Sequence, residues 1–502
     1  VPPQIEPPAT TVSAHLDRLL ESPRLRASPR LRRFLRFVVE EALAGRADEL
    51  NQYRIAIDVF ERGDHFDPRT DPTVRVEAGK LRVALEHYYL SPESSDSVCI
   101  EIPKGSYAPV IRYRRPVAGP ARAERRPTLL VPPIHNLDGG GELSVFGEIL
   151  SEELVVALAS CPKIRVVRET ATRAETGGHR LFGTLRRNGA ALRLTFRVED
   201  LESSVQCWAD TLDVPLDAAD AGAISREVAV RVGDIDGVLV RREMLRETPD
   251  PDGDTYEASI RFHAYMRSFS SDDYWQARRA IEAAVASNPE SAELSAMLAD
   301  CSRGGVLHGF DTDPLLLERG QLLSRRSVNL DRRCAVARLS LGYSHLAEGR
   351  TGAAIRQAET VLELPSMSAR GDAGLLLTLA GDSARGIDAV RNCVDTLDAF
   401  PGWYRHAFFL KAFLAGDFEG ALEEAMQIGM PHLPWDAIDR AAALAMLGEL
   451  DAARSALSEL LVLRPDFERE SRRYVEGFHP QPEIAGALLS SLTKAGLGFA
   501  LD

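Results

Sequence analysis

At 502 residues the chain is too long for one compact core, and roughly two to four domains are expected. Apolar residues make up 45% and charged residues 27%, which excludes collagen-like, coiled-coil-only and wholly disordered chains. The net charge of −14, from 60 Lys/Arg against 74 Asp/Glu, argues against a nucleic-acid partner when taken over the whole chain.

The charge is not evenly spread. Residues 1–126 hold 21 Lys/Arg and 18 Asp/Glu, whereas the remainder holds 39 and 56. The N-terminal segment is therefore read separately. Six cysteines, at 99, 161, 207, 301, 334 and 393, form no Cys-x-x-Cys pair and none sits at zinc-ligand spacing to a histidine. Buried reduced thiols are expected, with no metal and no cofactor. The start, VPPQIEPPATT, is not a signal peptide, and no stretch of about 18 uncharged apolar residues occurs. A cytoplasmic protein without a membrane partner is expected.

Residues 1–115 open with Arg-rich helical sequence. Arg24, Arg26, Arg30, Arg32, Arg33 and Arg36 form a basic cluster that either contacts DNA or pairs with Glu21, Glu40, Glu41 and Asp48. Asn51 is placed to cap a short helix in NQYRIAIDVF. In TVRVEAGKLRVALEHYY, Val74, Ala78, Leu81, Leu85 and Tyr88 fall on one helical face at spacings of 4, 3, 4 and 3. VCIEIPKGSYAPVIRY then alternates about Lys104-Gly105-Ser106 as a hairpin. Helix, loop, helix and hairpin in that order predict a winged helix-turn-helix. Val74-Arg75-Val76, Lys80-Leu81-Arg82, Leu85 and the tip Lys104-Gly105-Ser106-Tyr107 resemble the recognition helix and wing of OmpR/PhoB-type DNA-binding domains. Two departures stand: the Arg-rich helices replace that family's small N-terminal sheet, and the wing motif is a residue shorter. The resemblance implies a helix in the major groove of double-stranded DNA, with Glu77 and Lys80 facing bases. Arg75, Arg82, Lys104 and Ser106 are then placed for phosphates; apart from the resemblance, Arg32 and Arg33 of the basic cluster are candidate further DNA contacts.

A basic Pro/Arg linker, 116–126, leads to a predicted small α/β domain at 127–246. TLLVPPI reads as a strand, Ser151–Cys161 as a helix, and KIRVVRE, HRLFGTLRR, ALRLTFRVED and QCWADTLDV as strands. Asn188-Gly189 is a hairpin turn, and one helix is expected from about Ala221 to Arg242. The ordered set of Asn136, Phe146-Gly147, Ser151-Glu152-Glu153-Leu154, Arg165-Val166-Val167, Gly183 and Trp208-Ala209 is similar to the N-terminal domain of TolB-like proteins.

A second linker, 247–254, carries Asp250, Asp252 and Asp254. A calcium loop needs Glu at its twelfth position, where Arg261 stands, so an interdomain turn is the better reading. Residues 255–502 are helical and repetitive. Ala277, Ile281, Ala284 and Pro289 repeat as Ala453, Leu457, Leu460 and Pro465, and AEGRTGAA, AGDSARGIDA, AGDFEGALEEA and LGELDAARSAL are variants of one turn. These features resemble tetratricopeptide repeats and predict an α-solenoid of five or six copies, interrupted near CSRGGVLHGFDTDP. Its concave surface would hold a protein or peptide, or pack against the chain's own other domains; a homodimer is a further partner it could form.

Catalytic signals are poor. Ser491-x-x-Lys494 lacks the companion motifs of penicilloyl-serine enzymes, and Gly139-Gly140-Gly141 lacks a following Lys-Ser/Thr. No catalytic residue is assigned and no enzymatic activity is expected. The order of the three domains resembles regulators of the CadC/HilA sort. It implies a cytoplasmic, DNA-binding transcriptional regulator whose TolB-like and repeat domains sense a partner or signal. The alternative is an interaction scaffold whose winged helix meets protein.

Overall fold

The computed structural model describes residues 9–26, 28–62, 66, 71, 73–90, 98–103, 106–113, 126–168, 178–245, 255–311, 313 and 315–498. Two compact units result, one of Val1–Ala121 with Pro314–Arg326, the other of Arg122–Asp313 with Ser327–Asp502. The calcium-like turn, Lys104 and nearly all of the Pro/Arg linker lie outside the described residues. Among the described residues no helix is long and apolar enough to cross a membrane.

In the first unit, α1 (Ala9–Leu20), α2 (Pro23–Arg26), α3 (Pro29–Leu43), α4 (Gln52–Asp58) and α5 (Thr73–Leu90) precede an antiparallel hairpin of β1 (Val98–Glu101) and β2 (Val110–Tyr113). Ser28 caps α3, and Asn51 caps α4 by accepting from the Arg54 N–H at 3.0 Å. The face of α5 formed by Val74, Ala78, Leu81 and Leu85 is buried against Leu19, Phe34, Leu35, Val38, Ile55 and Ile100. The helical period of the sequence thus sets this core.

The second unit opens with β3 (Thr128–Val131), β4 (His135–Asn136), α6 (Glu142–Ala159), β5 (Arg165–Arg168), β6 (His179–Asn188), β7 (Ala191–Asp200), β8 (Gln206–Pro215), α7 (Ala221–Gly233) and α8 (Val238–Met244). The sheet order is β5-β3-β6-β7-β8, with β4 also on β6. β3 runs parallel to β5 and β6, and β6-β7-β8 form an antiparallel meander turning at Gly189, where φ is 62°. Two expectations are corrected. Helix α6 begins at Glu142, because the glycine turn before it ends at Gly141 with φ 75° and the apolar run resumes at once. The single helix expected over 221–242 is broken at Asp234–Gly237. Asp234 is extended, and a Cβ on Gly237 would lie 2.8 Å from the backbone carbon of Val232, so only glycine allows this tight reversal.

The remaining helices are α9 (Thr255–Ser268), α10 (Ser271–Ser287), α11 (Ala292–Leu307), α12 (Leu316–Leu330), α13 (Ala335–Ala347), α14 (Thr351–Leu362), α15 (Met367–Leu379), α16 (Ser383–Thr396), α17 (Arg405–Leu414), α18 (Phe418–Met426), α19 (Pro434–Leu447), α20 (Leu450–Leu463), α21 (Phe467–Phe478) and α22 (Pro482–Ala495). Consecutive helices pack as hairpins (α9/α10, α13/α14, α15/α16, α17/α18, α19/α20 and α21/α22), and α11 packs on α10 and α13. This is a helical-repeat solenoid, as the turn pattern predicts. In α15/α16 a Cβ on Gly374 would meet the Gly386 carbonyl oxygen at 2.7 Å, so paired glycines set the approach of the two helices. The boundary expected at 247–254 does not separate two cores. Tyr256 and Ile260 of α9 are buried with Leu150, Leu154, Phe196, Val228 and Leu239 of the α/β domain.

Candidate functional site

In the N-terminal unit the predicted site residues divide. Arg75 is exposed on α5, and among the described residues nothing engages it. Glu77 is buried and holds the exposed Lys80 at 2.8 Å, so of that pair only Lys80 presents its charge outward. Arg82, expected on phosphate, is spent inside: its guanidinium donates to the carbonyls of Ile102, Pro103 and Ser106 at 2.8, 3.0 and 3.1 Å. It ties the hairpin to α5, and the Pro103 carbonyl also accepts from the Ser106 N–H at 3.2 Å. The Ser106 hydroxyl accepts from the Ala108 N–H at 3.1 Å. Arg32 pairs with Glu21 at 2.9 Å, one of the partners expected on the ion-pairing alternative, and Arg33 pairs with Glu61 at 2.7 Å, which is not among them.

The second unit holds a larger site that the sequence did not indicate. The break between α7 and α8 inserts Asp234-Ile235-Asp236 against the first turn of α15. The Asp234 carboxylate accepts from the Met367 N–H at 2.6 Å, the Ser368 N–H at 3.1 Å and the Ser366 hydroxyl at 2.8 Å. The Asp236 N–H donates to the Ser368 hydroxyl at 3.2 Å, and its carboxylate pairs with Arg267 of α9. A helix N-terminus presents unpaired N–H groups and positive potential, which suits an anion. Burial pushes the Asp234 carboxyl up, while the bonds from Ser366 and Ser368 oppose that shift. Elsewhere the α/β domain joins the repeats through Lys163, whose ammonium donates to Ser259 and Glu293 at 2.6 Å each. The Trp208 indole N–H donates to Asp398 at 2.8 Å. The array therefore packs against its own α/β domain.

That packing leaves a cavity of about 1500 Å³ between the Asp234 loop, α6 and the inner helices of the stack. Its wall carries eleven carboxylates against seven Lys/Arg, so it favours a cation over an anion. Aromatic rings stand among them. The Tyr404 hydroxyl donates to the Ser368 carbonyl at 2.7 Å, and the Trp403 indole N–H to the Met266 carbonyl at 3.0 Å. The Tyr343 ring lies under Arg303, 5.4 Å from the guanidinium, and its hydroxyl donates to the backbone carbonyl of Asp372 at 3.4 Å.

The carboxylates of this wall are unequal. Asp236 has Arg267, and Asp300 has Arg303 at 2.7 Å. Among the described residues no ion pair or hydrogen bond engages the Asp372 carboxylate. Burial pushes Asp372 well above the usual carboxylate range, and the charges of Asp236 and Asp300 push it further. Burial also raises Asp300, against Arg303. His263 is driven down to about 3 by burial and by Lys163 and Arg267, so its imidazole is neutral. Among the described residues, buried polar atoms of the wall without a hydrogen-bond partner include the hydroxyl of Tyr265, the Nδ1 of His308, the Nε2 of His263 and the indole N–H of Trp435.

His406 also reaches the wall, but both ring nitrogens are committed inward. Its Nδ1 lies 2.6 Å from Asp439 and its Nε2 3.2 Å from His479. Neither nitrogen is left for proton transfer to a bound molecule. At the edge of the sheet, β6, β7 and β8 bring His179, Asp200 and Cys207 within 4.8 Å of one another, a grouping invisible in their spacing along the chain. Arg242 stands 3.9 Å from the Asp200 carboxylate, a cation on the same ligand oxygen.

No family model and no curated protein matches the chain. Among solved structures it is similar to a chain of the APC/C hetero-tetramer Cut9–Hcn1, at 14% identity over 56% of this chain and 53% of that one, with a TM-score of 0.35. It is likewise similar to the human IFIT1 dimer with m7Gppp-AAAA, at 16% identity over 51% of this chain and 60% of that one, with a TM-score of 0.35. The chain thus spans little more than half the length of the structures it matches, and likeness at that level transfers neither partner nor activity.

Proposed function

We propose that the chain is a non-enzymatic interaction protein whose repeat stack holds a segment of a protein partner in the cavity beside the Asp234 loop. The observation that carries this reading is the cavity itself. Its volume exceeds the roughly 300–1,000 Å³ of ordinary small-molecule sites, and it lies on the inner helices, the surface that solenoids use for extended ligands. A photo-cross-linking residue at Leu375, on the wall, should then trap one partner in cells, and the same residue at Val462, exposed on α20, should not. Equal adducts from both positions, or none from Leu375, reject the reading.

A second reading is favoured by α5. Arg75 and Lys80 are exposed cations on the helix that Arg82 ties to the hairpin, the arrangement a winged helix offers to duplex DNA. On this reading the chain is a cytoplasmic transcriptional regulator of the CadC/HilA sort, and its cavity receives the signal. The full chain is the material for the test, because 314–326 belong to the N-terminal unit. Its affinity for duplex DNA should fall steeply with salt, as counterion release requires. Salt-independent binding, or none, leaves the interaction reading alone.

A further inference from the structure

Helix α6 is apolar on two opposite sides. Its inner side, Leu150, Leu154 and Leu158, is fully buried against the sheet and α7. The outer side repeats the helical period: Val145, Ile149 and Val156 stand four and seven positions apart. They are 58%, 51% and 67% exposed. A helix apolar all round is one that is covered all round, and single scattered apolar residues, not an aligned row, are the normal state of a surface. Glu152 lies within the same row, between Ile149 and Val156, and Glu142, Glu148 and Glu153 flank it. α6 carries these four glutamates and no Lys or Arg. Among the described residues Arg168 pairs with Glu152 at 2.5 Å, and no ion pair or hydrogen bond engages the other three carboxylates.

We infer that the outer side of α6 is a docking surface for a basic amphipathic helix of a partner protein. The partner's apolar side meets Val145, Ile149 and Val156, and Lys or Arg along its edges meet the glutamates. The charges choose this occupant. In a symmetric dimer the same patch faces itself, so α6 on α6 would set four glutamates against four. An anionic lipid surface meets the same repulsion. A helix suits the shape, because a row at this spacing is a ridge that fits the groove of another helix. The inference goes beyond the cavity reading and assigns a second surface, on the α/β domain. Its end at Glu153 and Val156 borders the cavity, but the Leu375 cross-link tests that reading by itself.

Calorimetry on the full chain uses three end-blocked peptides of the length of α6, 18 residues. The first is a helix with leucine on one side and lysine on the other. The second has the same composition with the leucines scattered, and the third has glutamate for every lysine. The leucine–lysine helix should bind one to one, less tightly as salt rises, and about tenfold better than either control. Val145→Ser combined with Ile149→Ser should weaken it by about tenfold or more. Both side chains are exposed, so this variant should fold, and Val462→Ser on α20 should change nothing. Glu148→Gln with Glu153→Gln keeps the apolar row and should narrow the preference for lysine over glutamate. No binding up to about 1 mM, or unchanged affinity in the serine variant, overturns the docking surface. Equal binding of the scattered peptide also overturns it, since the net charge of −14 then accounts for the adsorption. Equal or tighter binding of the glutamate helix overturns the basic partner. A full-chain dimer in sedimentation that the serine variant breaks gives the surface to a second copy and overturns the proposal. Each of these failures leaves the cavity reading in place as long as Leu375 still traps its partner.

Discussion

Asp234 accepts a hydrogen bond from the backbone N–H of Met367 at 2.6 Å, across 133 positions of sequence. The carboxylate does for α15 what a ligand anion does at other helix N-termini, and it comes from the loop that breaks α7 from α8. The α/β domain is thereby a fixed part of the groove wall.

Removing that carboxylate tests how much of the joint it carries. Asp234→Ala leaves the Met367 and Ser368 N–H groups buried without acceptors, a loss of about 2–3 kcal/mol. Asp234→Asn keeps one acceptor oxygen and should cost less. Urea unfolding followed by circular dichroism reads both. A wild-type midpoint for Asp234→Ala would mean that the loop does not hold the two parts together.

Arg82 and Arg75 separate structure from binding in the N-terminal unit. Arg82→Ala takes the side-chain donor from three hairpin carbonyls, of which, among the described residues, only Pro103's keeps a second one from the Ser106 N–H, and should destabilise the unit by about 1–3 kcal/mol. Arg75→Ala touches no partner and should leave stability within about 0.5 kcal/mol. If the DNA reading holds, it should also weaken all duplexes alike and flatten the salt slope by about one unit. Equal effects of both changes on the unfolding midpoint would contradict the assignment.

Much of the fold was legible because it depends on periodicity. The 3.6-residue face of Val74, Ala78, Leu81 and Leu85, the alternation of β6 and β7 about Asn188-Gly189, and the repeated turns of the solenoid are all local patterns. The cavity was not legible, because its members are brought together by the superhelix. Asp236, Arg267, Asp300 and Asp372 sit on four different elements, and none stands in a motif. The loop that closes the wall was hidden for a related reason. Residues 221–242 keep an apolar helical period through the break, and only the close approach at Gly237 betrays the reversal. Arg82 shows the converse limit: a residue placed by family pattern on phosphate is, in three dimensions, a structural anchor.

Glu41 gives the N-terminal unit an acid limit. The Arg46 guanidinium, bound at 2.8 and 2.6 Å, together with Arg54 holds this carboxyl at about 2, against the burial that raises it. The folded value lies below the ordinary 4.5, so the stabilisation is present above pH 4.5 and is lost as pH falls from there towards 2. Glu41→Gln should be less stable than wild type at neutral pH, and the two unfolding curves should converge on acidification through that window. A gap that does not change with pH would place the effect of the substitution elsewhere.

Asp372 has the opposite sign. Its folded carboxyl lies well above the ordinary 3.8, raised by burial first and by Asp236 and Asp300 next, while Arg267 and Arg303 are committed to those neighbours. The fold therefore favours the protonated form. The contribution is fully present below pH 3.8 and is lost as pH rises until the folded carboxyl ionises. An amide does not titrate, so Asp372→Asn should exceed wild type in stability at neutral pH, by a margin that opens above about pH 4 and then levels off. Denaturant unfolding between pH 5 and 8 measures that margin. A variant less stable than wild type at every pH would show that the carboxylate already has a partner in solution.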